Sequence, residues 1–100
     1  MQVIGISKKL TIDENKVTFV LDEEMPDEVA ALLQYGNLEL EADGRFLTVT
    51  KPDDGDPFTA TTMQNLNEKI AAAVLEVEAA KARRSRMLEK LALRTVLPLI

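Results

Sequence analysis

NLELEADGRFLTVTK, residues 37–51, decides the fold. Leu38, Leu40 and Ala42 alternate with Glu39, Glu41 and Asp43. Period-two alternation of apolar and charged side chains belongs to a strand with one buried and one wet face. Asp43-Gly44 is a strong signal for a two-residue hairpin loop, and RFLTVTK, with Phe46 and Val49 as core candidates, supplies the returning strand. The stretch KLTIDENKVTFVLD, residues 9–22, reads the same way. Leu10, Ile12, Val17, Phe19 and Leu21 alternate around an Asp13-Glu14-Asn15 turn. Residues 2–7 extend its first strand backward, with Gly5 marking a bend or bulge. LTIDENKVTFV and LELEADGRFLTV align with one inserted residue at the second turn, in the manner of a duplicated unit.

A helix follows each hairpin. In EEMPDEVAALLQYGN, Pro26 suits a first helical position, and Asp27 and Glu28 favour its positive end. Gly36-Asn37 is a plausible stop. KPDDGDPF, residues 51–58, is a loop leading to the second helix. Its Asp53, Asp54 and Asp56 could ligate a hard cation. The EF-hand spacing is missing, however, and Asp56-Pro57 or Thr61 with Gln64 serves as well to start a helix. From Thr59 no Gly or Pro occurs before Pro98, so one helix of about 57 Å is expected, the alternative being a break near Ser85 with the tail folded back in a compact monomer. Leu66, Ile70, Ala73, Val77 and Ala80 repeat with heptad spacing.

The fold class expected is therefore α+β: a small antiparallel sheet from two β-hairpins, in ββαββα order, with a long C-terminal helix, and with that helix and the one at about 26–35 both on the apolar face of the sheet. Residues 1–57 form the body. Residues 58–100 form a helical segment that packs on it and supplies an association surface. Core candidates are Ile12, Val17, Phe19, Leu32, Leu40, Phe46, Val49, Leu66, Ile70 and Val77.

Charge divides the chain. Residues 1–80 hold sixteen Asp and Glu against six Lys and Arg, a balance of -10. Residues 81–100 hold one Glu against Lys81, Arg83, Arg84, Arg86, Lys90 and Arg94, a balance of +5. An acidic body repels a polyanion at long range, while the basic end could bind one locally or settle on an acidic protein surface. Around those cations the apolar residues do not keep to one stripe. Leu88, Leu91, Leu93, Val96 and Leu97 ask for more than one burial partner, one of which a second chain can supply.

Catalysis is disfavoured. With neither His nor Cys, imidazole acid–base work, His metal ligands and thiolate nucleophiles are excluded. Ser7 and Ser85 lack a nucleophile-elbow context. No glycine-rich phosphate loop occurs, and no cofactor is expected. No apolar run reaches membrane-spanning length and no Trp anchors a surface helix, so no membrane partner is expected. The opening residues do not have signal-peptide order, and a cytoplasmic protein is expected. The reading that remains is a non-catalytic, protein-binding module: an accessory, assembly or inhibitor protein. It forms a homodimer through Leu88, Leu91, Leu93, Val96 and Leu97, and its outside partner is a second protein. Nucleic-acid binding through the basic helix at 81–94 is the alternative.

Overall fold

The computed structural model describes residues 1–100. Four strands and two helices follow in ββαββα order: β1 (Val3–Ile6), β2 (Lys16–Leu21), α1 (Asp27–Leu32), β3 (Glu39–Asp43), β4 (Phe46–Thr50) and α2 (Ala60–Thr95). The strands form one sheet in the order β1-β2-β4-β3, antiparallel throughout. The expected fold class is the one observed.

The second hairpin turns one residue later than Asp43-Gly44. Asp43 pairs with Phe46, so Gly44 and Arg45 form the loop. Gly44 has φ +61°, and Arg45 is not in the positive region. A positive φ at the first loop residue alone is the type II′ pattern, which requires glycine there. The first hairpin differs more. Its leading strand is the backward extension, Val3–Ile6, and not the stretch from Leu10. A bulge between Val3 and Gly5 gives Ile4 no opposite residue. Residues 7–15 are a loop held on β2 by local hydrogen bonds. Thr18 N donates to Thr11 Oγ1 at 3.1 Å, and Ser7 N donates to the Thr18 carbonyl at 2.9 Å. Asp13 Oδ1 accepts from the backbone N–H groups of Asn15 and Lys16, closing an Asx turn. The aligned segments LTI and LEL thus lie in a loop and at the start of a strand, which removes the first-strand half of the apparent repeat.

One face of the sheet carries the core. Val17, Phe19 and Leu21 of β2 and Leu47 and Val49 of β4 lie there with Met25, Val29 and Leu33 around α1 and with Leu66, Ile70, Ala73 and Val77 of α2. Fully burying each large apolar side chain is worth about 1.5–3 kcal/mol, so this cluster is where the fold is stabilised. The ring of Phe58, just before α2, meets Phe19 edge-on with centroids 5.9 Å apart and pins the start of that helix over the sheet.

Three core candidates are corrected. Phe46 is 39% exposed while Leu47 is 0% exposed, so β4 turns the opposite parity inward. Phe46 and Val49 stand on opposite faces of one strand, and only Val49 faces the helices. Leu32 is exposed because α1 is a single six-residue turn-and-a-half whose inward positions are Val29 and the terminal Leu33. Ile12 is exposed because it belongs to the loop and not to a paired strand.

α2 begins neither at Asp56 nor at Thr61. Thr59 is the N-cap: its Oγ1 accepts from Thr62 N at 3.3 Å, and Thr59 N donates to Thr62 Oγ1 at 3.2 Å. The reciprocal bonds satisfy two of the N–H groups that every helix start leaves open. The helix then runs 36 residues without a break at Ser85, about 54 Å at 1.5 Å per residue. It sets the molecule's long dimension of 58 Å, against 24 and 18 Å for the other two.

Candidate functional site: an unsupported helix and an open sheet face

Burial along α2 stops at Val77. Every residue from Glu78 to Met87 is exposed, and beyond them only Leu88 and Ala92 are partly covered. Residues 78–95 therefore project about 27 Å from the body. At 100° per residue, Leu88, Leu91 and Thr95 fall in line with the stripe Leu66, Ile70, Ala73, Val77 that covers the sheet. The helix presents one face with a polar gap at Lys81 and Arg84, supported by its own domain over the first half and by nothing over the second.

The expected association residues divide on this geometry. Leu88 and Leu91 share the extended core stripe. Leu93, 82% exposed, lies on the opposite side. Val96 is the helix C-cap in left-handed conformation at φ 57°, 87% exposed, and Leu97 follows the helix with its N–H donating to the Ala92 carbonyl at 3.2 Å. The six cations divide as well. Arg83, Arg86, Lys90 and Arg94 recur every three or four residues and form one basic stripe beside the apolar one. They line a shallow strip of surface together with Met87 and Leu91. Lys81 and Arg84 fall instead on the apolar side, and Arg84 interrupts its seam. None of the six makes an ion pair: the molecule's one pair joins the N-terminal ammonium to Glu23 at 3.9 Å.

The second surface is the acidic side of the sheet, and its apolar patch was not anticipated from sequence. Both helices cover the same face of the sheet, which leaves the other face open. The strand register places its side chains in rows across the strands. Asp43, Phe46 and Val20 form one row, Glu41, Thr48 and Thr18 the next, and Glu39, Thr50 and Lys16 the third. Thr18 is buried although it points away from the core, since its hydroxyl meets that of Thr48 at 2.9 Å and the Leu10 carbonyl at 3.4 Å. Leu10 and Ile12, carried there by the 7–15 loop, border a concavity of 270 Å³ with Phe46. Glu41 and Asp43 line its other side. The open face is thus an apolar patch with an acidic border along β3 and one cation, Lys16, at its β2 side. The alternation of β3 had already placed its three acids outward; the unread signal was Phe46-Leu47-Thr48-Val49, whose two apolar parities compete.

The acidic loop is engaged locally: Asp53 Oδ1 accepts from the Asn15 side-chain amide at 2.7 Å. No group of three acids is placed to hold a metal ion, and no helix is long and apolar enough to cross a membrane. Compared with known proteins, the chain matches no family model, no curated protein and no solved structure.

Proposed function

We propose that the protein is a non-catalytic, protein-binding module that works as a homodimer assembled through the C-terminal half of α2. The observation that carries this reading is the unsupported length of helix, whose Leu88 and Leu91 continue the core stripe beyond Val77, the last residue of α2 that is buried. Burying a few such side chains offsets the entropy of association. The absence of cysteine suits a reducing, cytoplasmic setting. In that setting the dimer acts as an accessory, assembly or inhibitor protein of a larger one. Light scattering on the purified chain tests the association. A mass near twice 11.1 kDa is expected, and Leu91→Glu with Leu97→Glu returns it to 11.1 kDa with the sheet still folded. A mass of 11.1 kDa for the unaltered chain at tens of micromolar would refute the dimer.

A second reading rests on the basic stripe. Arg83, Arg86, Lys90 and Arg94 are exposed, aligned and unpaired, as phosphate-contacting side chains are. Titration with labelled single- and double-stranded oligonucleotides discriminates. Micromolar binding that falls steeply with salt and disappears when the four become Ala favours nucleic acid; a flat titration favours the protein-binding reading.

A further inference from the structure

The basic helix and the open sheet face are complementary. Building on self-association, we propose that each projecting helix lies across the open sheet face of the second copy, so that every sheet in the dimer is covered on both sides.

Length fits first. The half of α2 over its own body, residues 60–77, and the projecting half, residues 78–95, are equal at about 27 Å each. Along the helix direction the molecule's 58 Å less the projection leaves about 31 Å for the body, so the projection spans most of the length of a second body.

Phase fits next. Leu88, Leu91 and Thr95 look in the same direction as the stripe on the chain's own sheet. A second body set alongside the first, in the same layer but turned over, presents its open face to that stripe. A half-turn about an axis in the plane of the sheets and perpendicular to the helices performs both operations. The same half-turn carries the second chain's helix under the open face of the first. The contact is reciprocal and closes at two chains, as a two-fold interface requires.

Charge decides between this arrangement and direct pairing of the two projections. Two projecting helices side by side would bring twelve cations together with two copies of Glu89 as the only acids within residues 81–100. Packed helices are about 8–10 Å apart, within one Debye length at 0.1 M salt, so that repulsion is not screened away. On the open sheet face the apolar stripe instead meets Phe46, Val20, Leu10 and Ile12. The cations flanking it have Glu39, Glu41 and Asp43 within the same surface, all without ion-pair partners in their own chain.

The chain has no cysteine, so introduced thiols report one contact each. Chains carrying Phe46→Cys are mixed with chains carrying Leu91→Cys and oxidised mildly. A covalent heterodimer is expected, and a protein of dimer mass that yields none overturns the proposal. Leu88→Cys alone is expected not to cross-link to itself, because sheets separate the two helices; efficient self-linking would place helix against helix, overturning this arrangement while self-association stands. A monomeric mass for the unaltered chain overturns both. A charge exchange provides an independent measure. Glu41→Lys with Asp43→Lys is expected to raise the dimer Kd by about tenfold or more. Adding Arg86→Glu with Lys90→Glu to the same chain is expected to restore it. Unchanged affinity in the first variant, or no recovery in the second, counts against the pairing. All four positions are surface residues, and an unchanged circular-dichroism spectrum verifies that the variants fold.

Discussion

Truncating Leu47 and Phe46 to alanine, one at a time, separates the two faces of β4 by energy. The test belongs in a chain already carrying Leu91→Glu and Leu97→Glu, so that association contributes nothing to either measurement. Leu47 is fully buried between β2, β3 and the helices. Leu→Ala at such sites costs about 2.7–5 kcal/mol, the transfer of the lost carbons plus the cavity they leave. Phe46 keeps more than a third of its surface in water and has no helix above it. Its truncation removes side-chain contact with Val20 without opening a cavity, and about 1.5 kcal/mol or less is expected. Urea unfolding followed by circular dichroism measures both. With a slope of about 1–3 kcal/mol per molar, a loss of 3 kcal/mol moves the midpoint down by about 1–3 M for Leu47→Ala. The shift for Phe46→Ala should be less than half of that, with unchanged slopes. If Phe46→Ala costs as much as Leu47→Ala or more, the faces assigned to this strand are reversed, and the open sheet face does not exist as described.

Deleting residues 82–100 should leave the thermal midpoint of the monomeric background within a few degrees of its starting value, because burial ends at Val77; a collapse of the melt would mean that the projection supports the body. Thr59→Ala removes the cap hydroxyl and should cost about 1 kcal/mol, read by urea unfolding, with Thr59→Ser recovering most of it. Val96→Gly relieves a β-branched residue at positive φ and should slow amide exchange at Leu97 while leaving global stability unchanged, since that turn lies outside the core. The dimer should weaken with added salt if the acidic border of the sheet receives the cations of the helix; an affinity indifferent to salt would remove charge from the account of that interface.

The legible parts of this fold were those where one physical signal acted alone. β3 alternates strictly, and its Leu40 and Ala42 turn toward the core as the pattern requires. The spacing of Leu66, Ile70, Ala73 and Val77 matches the four buried positions of α2. Errors arose where signals competed. Residues 10–12 alternate as well as any strand, yet the Thr11 hydroxyl takes the Thr18 N–H, and Val3–Ile6 pairs with β2 in their place. In β4 two apolar parities were available, and only the three-dimensional position of the helices selects Leu47 over Phe46. The helix start lay between two reasonable caps, and the threonine pair Thr59 and Thr62 does the work that Glu or Gln usually does at the third position. The projecting helix could be read from length and composition. The open face could be read only in outline: both helices were expected on the apolar side of the sheet, but the residues of β4 and of the 7–15 loop that line the other side were not.

The edges of the sheet bear on how the molecule avoids fibrils. A sheet with free edges invites another chain to add strands, and proteins that stay dispersed blunt those edges with bulges, short strands or charge. Here β1 is four residues long and bulged at Ile4, and its Val3 N–H is already taken by the Asn67 side chain of α2 at 2.8 Å. At the far edge, β3 places Glu39, Glu41 and Asp43 at every second position, so a second copy of that strand aligned beside it would bring like charges together. Strand addition is discouraged at both ends, by shape and a spent donor at β1 and by charge at β3.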